Sequence, residues 1–316
     1  MRGPSLGARL FGLGSVFGKT LRDSRWAALG VLTLLVLMVV AGGIVMSSTY
    51  GTAETRAGLA AMARAMPPEL RGLYGDPRGV ETLGGFIGWH YGSYVVLISG
   101  LWSILALSST LAGETRRASL DLVVVTPRSR GAIALAKLGG HLAAVAIVTA
   151  IVAPTTWLTG LVFDRFPGDA IAPDAAISFA AGIAIRGVAM GAFAFALAGL
   201  LGRSAGAGIA GALMLGGTVV HGYRTVVPAF ATIDPYLPWS WGADHRPLTG
   251  AGDPVGLAVT AGVAVALLAL GVIAFARTDL GVVSTLRGPR LPRRLLGDRK
   301  STRLNSSHVA LSRMPS

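Results

Sequence analysis

Apolar residues run along this chain in blocks of roughly 20, the length an α-helix needs to cross a hydrocarbon layer. Six blocks stand out, at 26–46, 86–111, 138–163, 176–201, 206–223 and 254–275. They predict six membrane spans. The polar segments between them have their own grammar. Residues 47–85 balance Arg56, Arg64, Arg71 and Arg78 against Glu54, Glu69, Asp76 and Glu81, and within them 53–66 predicts a surface helix ended by Pro67-Pro68. Pro154 predicts a kink in the third span. Trp89, Tyr91 and Tyr94 form an aromatic belt at one end of the second span. His90 among them reads as a packing group, with a proton relay as the alternative. The loop 228–253 carries Tyr236, Trp239 and Trp241 between prolines, as expected of an outer loop that dips aromatics into the interface.

Composition supports the span reading. Of 316 residues, 52% are hydrophobic and 14% charged, against about 25% charged in soluble domains. The 44 glycines, many inside apolar blocks, suit close helix packing in lipid. With no cysteine, disulfides, thiol catalysis and cysteine metal sites are excluded. His221 and His245 lie too far apart, and without a carboxylate pattern, to predict a metal site.

The net charge of +13 follows topology and gives no reason to expect nucleic acid as a partner. Of the 28 Lys and Arg residues, 20 fall before span one, between spans two and three, at the turn after span four, and after span six. Positive charge marks the cytoplasmic side, so both termini are expected inside the plasma membrane. The division is a basic segment 1–25, a six-span domain 26–276, a basic tail 277–297, and an extraneous, serine-rich sequence 298–316. The first segment fits either an amphipathic interfacial helix or a flank that only fixes orientation.

Three motifs invite chemistry. Gly18-Lys19-Thr20 resembles the end of a phosphate-binding loop, but Leu13 stands where its first glycine belongs and no strand precedes it. Gly206 to Gly211 spells GxGxxG inside a small-residue span, where helix packing explains it better than a dinucleotide. No cofactor, metal or catalytic residue is expected. Arg186 is the one clear ionisable residue deep in a span. It should face a cavity, the bundle interior or a partner, and is the candidate pathway residue, unless the span starts later and the side chain snorkels outward.

Charge, turn chemistry and an amphipathic run coincide only between spans two and three. Glu114, Arg116, Arg117 and Asp121 crowd the front of this stretch, Leu120 to Val125 form an apolar ridge, and Thr126-Pro127 closes it. The pattern predicts a short surface helix over 114–125. Thr126 is expected to cap, with Pro127 at the first position, a new helix running through Ile133 and Leu135.

Glu114, Ala118-Ser119-Leu120-Asp121, Pro127, Ser129-Arg130 and Lys137 resemble the signature of ABC-2 type permeases, E-x-x-x-G-T-L-E followed by P-x-S-R and a later G-K. Arg277-Thr278-Asp279-Leu280 after the last span and Phe86-Ile87-Gly88-Trp89 before the second are similar to the antibiotic-exporter permeases of actinobacteria. The departures are Ala118-Ser119 for Gly-Thr, Asp121 for Glu and Ala136 for Gly. The resemblance implies an all-α, six-helix transmembrane bundle with cytoplasmic termini and a cytoplasmic coupling helix between spans two and three. It implies a non-enzymatic subunit that exports a small apolar or amphipathic compound, driven by a separate ABC ATPase. Glu114, Arg116, Arg117, Leu120, Asp121, Pro127 and Arg130 would couple to that ATPase. A homodimer, or a second six-span half, would complete the roughly twelve spans such exporters gather. The alternatives are an ATP-independent, proton-coupled carrier and a structural or sensory membrane protein.

Overall fold

A computed structural model of the chain describes residues 15–112 and 129–277. The segment holding Glu114, Arg116, Arg117, Leu120, Asp121 and Pro127, and everything after Arg277, lies outside the described residues.

The described residues form ten α-helices and no strand. These are α1 (Val16–Ser48), α2 (Ala53–Ala65), α3 (Pro68–Tyr74), α4 (Leu83–His90), α5 (Gly92–Ala112), α6 (Arg130–Val162), α7 (Pro173–Leu201), α8 (Arg203–Tyr223), α9 (Pro228–Ile233) and α10 (Pro254–Arg277). Helices α1, α5, α6, α7, α8 and α10 are long and apolar enough to cross a membrane. The molecule is an all-α, six-helix bundle of a multi-pass membrane protein.

Local chemistry sets the helix ends. Ser15 caps α1, its Oγ accepting from Gly18 N at 3.0 Å, so helix begins ten residues before the expected span. Lys19, Arg22 and Arg25 therefore sit on the first turns of the spanning helix itself, and no separate interfacial helix occupies 15–25. Gly18-Lys19-Thr20 is helical from the cap onward, unlike a phosphate loop. Thr52 and Thr55 form a reciprocal capping box at the start of α2. Ser129 caps α6 through Ala132 N at 3.3 Å, so α6 starts at Arg130, later than the expected cap at Thr126. Pro154 lies inside α6, which continues through it to Val162. The expected second span is divided at Tyr91 into α4 and the spanning α5.

Interhelical contacts fix the arrangement. A Cβ added to Gly140 would meet Thr20 at 2.8 Å and one added to Gly43 would collide with the Phe163 ring, so α1 and α6 run parallel. Gly187 faces Ser99 and Gly191 faces Ser103, so α5 and α7 run parallel; Phe195 over Gly271 and Gly199 beside Ala274 set α7 parallel to α10. Helix α7 is the centre, packing on α5, α6, α8 and α10. Ten of its fourteen buried residues are Gly or Ala, the others being Phe179, Ile183, Met190 and Phe195. Leu37, Leu105, Leu158, Leu215 and Val265 point outward. The small residues of α7 let its neighbours approach closely while large apolar residues also face outward, because lipid solvates leucine and only close approach gains dispersion energy between helices.

The two ends of the bundle differ. Helix α7 joins α8 through Gly202 alone, whose φ of 90° and ψ of 162° belong to a region essentially restricted to glycine. This turn end also holds Ser129 and Arg277. The long connections 49–91, 163–172 and 224–253 gather at the opposite, loop end. There Arg56 Nη1 meets Asp169 Oδ1 at 2.6 Å, both side chains buried. Leu83 N donates to the same oxygen at 2.8 Å, and Phe166 N to Oδ2 at 3.1 Å. Arg56 also donates to Tyr50 O and Glu81 O and lies over the Phe166 ring. One ion pair thus clasps three segments. Burial alone would raise the Asp169 carboxyl, but the Arg56 hydrogen bond and charge, with the Leu83 and Arg165 amides, hold it below its ordinary 3.8.

Candidate functional site

A cavity of about 510 Å³ opens at the loop end and descends between α3, α4, α5, α7 and α8. Tyr74, Asp76, Arg78 and Ser93 are exposed at its mouth. Arg186 lies at its depth, thirteen residues into α7, or about 20 Å along the helix axis.

Helix α3 forms one wall because Gly72 lies directly on Gly222 of α8: a Cβ on Gly222 would run into the Gly72 carbonyl oxygen. Trp89 Nε1 donates to Gly75 O at 3.1 Å, tying α4 to the end of α3. Gly88 and Gly92 line the cavity and face open space, so the absent side chains leave the volume free.

The loop 224–253 closes the other side, correcting the expectation for its aromatics. Trp239 turns into the bundle, 4% exposed, with its Cβ against Gly217, whereas Tyr236 stays outside at 79%. Asp234 anchors this loop, meeting His221 Nδ1 at 3.1 Å, Arg224 Nε at 3.7 Å and the Ser240 hydroxyl. His245 accepts from Asp253 N through Nδ1 at 3.0 Å, which leaves Nε2 to donate to Ser178, 3.2 Å from its carbonyl oxygen.

Five arginines, Arg71, Arg78, Arg186, Arg224 and Arg246, line the cavity with one carboxylate, Asp76. Arg78 and Arg246 both reach Asp76, at 2.6 and 3.9 Å, and Arg224 Nη2 reaches Asp244 at 3.3 Å. Burial lowers Arg246, with Asp76 and Asp244 opposing the shift. Arg71 is held by backbone carbonyls of Met66 and Arg64. Arg186 has one long bond, Nη2 to Trp239 O at 3.4 Å, and its guanidinium carbon stands 4.9 Å from the Trp239 ring centre. Among the described residues no carboxylate pairs with it. Trp89, Val96, Phe179, Ile183 and Leu248 supply apolar wall. Chemically, this is a polar floor and mouth on an apolar shaft, with an excess of positive charge.

Of the residues singled out in the sequence, Arg186 faces this cavity and does not snorkel away from the bundle. Arg130 is the first residue of α6 at the turn end, remote from the cavity in its own span. The remaining coupling residues lie outside the described residues. His90 stacks on Phe86 at 5.2 Å, interplanar 6°, and burial lowers it below its ordinary 6.5. Arg186 is not the only ionisable residue within a span: His141 lies inside the expected third span, and the helix α6, which starts at Arg130, takes in Lys137 as well, both buried. His141 Nε2 pairs with Ser103 Oγ at 3.2 Å and its ring meets Trp102 edge-on. Among the described residues, no group of three or more His, Asp or Glu side chains is placed to hold a metal ion. Arg71, Arg78, Arg224 and Arg246 were legible only as loop charges; their convergence is tertiary. Comparison with protein-family models and with curated proteins finds no match to this chain.

Proposed function

We propose that this chain is the membrane-spanning subunit of an ATP-driven exporter, with a separate ATPase docking at the turn end and the cavity serving as the outer part of the pathway. The supporting observation is the lopsided bundle. Its long described connections all gather at the loop end, whereas the sole described connection at the turn end is Gly202. Arg130, Arg203 and Arg277 lie at the turn end, and the sequence segments that adjoin this end hold 20 of the 28 Lys and Arg residues. The positive-inside rule then makes that end cytoplasmic in the plasma membrane. The helices that flank the permease-like stretch with Glu114, Arg116, Arg117, Leu120 and Asp121 in the sequence, α5 and α6, end and begin at this end. A small amphipathic compound is the cargo, and a second copy or second six-span half completes the pathway.

Co-expression with a neighbouring-gene ATPase tests this reading. The expected result is co-purification, ATP-dependent efflux, and loss of most of that efflux in Glu114→Ala with the complex intact. Unchanged efflux in that variant removes the coupling role. A proton-coupled carrier is the second reading, favoured by buried His141, whose Nδ1 has no hydrogen-bond partner. Efflux that survives ATP depletion and collapses with the proton gradient would establish it instead.

A further inference from the structure

We propose that the cavity is a binding site for an amphipathic monoanion, a carboxylate or phosphate ester on an apolar or aromatic body, with Arg186 as its counter-ion. The transport reading supplies only the occupant's purpose; binding itself is argued from the geometry of the cavity.

Charge decides the sign of the ligand. Asp76, Asp234 and Asp244 engage Arg78, Arg246 and Arg224, and backbone carbonyls hold Arg71. None of these carboxylates comes within ion-pair distance of Arg186, and Asp244, engaged by Arg224, acts on it only at longer range. A guanidinium cannot shed its charge at any ordinary pH, and a cation partway down a span is costly without a counter-charge. The Trp239 ring covers one of its faces and the Trp239 carbonyl takes one donor at long range. The other donors are left for the cavity, in the planar fork that matches a carboxylate or phosphate.

Shape decides the rest of the ligand. The volume of about 510 Å³ falls within the range of roughly 300–1,000 Å³ usual for small-molecule sites. Phe179 and Ile183, on the same helix as Arg186, and Trp89 and Val96 opposite provide an apolar shaft above the charge. An anion with a hydrocarbon or aromatic body satisfies both ends, whereas an inorganic anion would leave the shaft unfilled. One unpaired guanidinium at depth matches one negative charge.

The test uses the full chain in phosphatidylcholine nanodiscs without any ATPase, with tryptophan fluorescence as the readout and 4-phenylbutyrate and 4-phenylbutanol as probes. The acid is expected to bind roughly tenfold tighter or more, the contribution of one charge-assisted hydrogen-bond set. Arg186→Met should abolish the preference while keeping weak binding of both probes, and Arg186→Lys should keep part of it. Gly88→Leu, which fills the cavity and leaves every charge in place, should weaken both probes together. Equal affinity of acid and alcohol for the unaltered chain overturns the proposal without reference to any variant. Phosphatidylglycerol added to the nanodisc separates two sources of the same chemistry. Arg186-dependent displacement of the acid identifies a lipid headgroup, and retention of the acid identifies a soluble anion. Loss of acid preference with efflux intact removes the anion site alone, and unchanged efflux in Glu114→Ala with the preference intact removes the coupling role alone.

Discussion

Arg56 and Arg186 both leave bulk water, and they end in opposite circumstances. Arg56 is clasped: a carboxylate at 2.6 Å, two carbonyls and an aromatic ring surround it, and the carboxylate in turn accepts backbone amides. Arg186 has a ring and one distant carbonyl, and it faces open volume. A buried ion is tolerated when most of its lost hydration is replaced and its charge is paired. At Arg56 the protein supplies the counter-charge and all but one of the contacts internally, only Nη2 lacking a hydrogen-bond partner, so the side chain is structural. At Arg186 the replacement is incomplete, and the deficit lies next to a cavity.

Breaking the clasp should have the largest effect. Arg56→Met strands the buried Asp169 carboxylate and is expected to cost about 3–5 kcal/mol in unfolding experiments on the purified protein. Adding Asp169→Leu should recover part of that loss, and the remainder would measure the orphaned Leu83 and Phe166 amides. The pair also predicts a pH dependence. The folded Asp169 carboxyl lies below its ordinary 3.8, so its contribution is fully present above that value and is lost as pH falls through the lower, folded value. Asp169→Asn should flatten the acid limb of the unfolding profile.

Next in size is Gly187→Leu, one residue from Arg186 but on the packed side of α7, where an added Cβ would collide with the Ser99 hydroxyl. Overpacking of this kind costs about 1–3 kcal/mol, visible as a lowered melting temperature. Arg186→Met should change stability by no more than about 1 kcal/mol in either direction, because it breaks no ion pair. A loss as large as that of Arg56→Met would show Arg186 to be a second structural clasp. Smallest of all, Gly88→Leu places its side chain in open space and should stay within about 0.5 kcal/mol of the unaltered chain.

Span number and type were plain in the sequence, because a run of apolar residues long enough to cross a bilayer has few other uses. Span boundaries were less plain. Lys19 to Arg25 read as a flank or a separate interfacial helix, yet Ser15 caps a helix that carries those charges into α1, and Ser129, three residues after the expected Thr126, caps the helix that carries Arg130 to Lys137 into α6. Lys137 stood one residue outside the expected third span and His141 stood inside it, but the pairing of His141 with Ser103 joins residues 38 apart and is decided by packing. Trp239 shows another misreading: an aromatic between prolines looks interfacial, but Asp234 pulls its loop down onto His221 and Arg224 and carries the indole inside.

Residue order was therefore enough to specify an all-helical membrane bundle, its charge asymmetry, and an arginine that had to find a special environment within α7. These follow from local composition and from the cost of placing charge in hydrocarbon. Which arginines share a cavity, which one remains without a carboxylate and which is locked to Asp169 became visible only in the packed bundle. Asp169 lies 113 residues from Arg56 and Trp239 lies 53 from Arg186. Pairings over such separations depend on how the helices pack, and neither the residue types nor their local spacing specifies that.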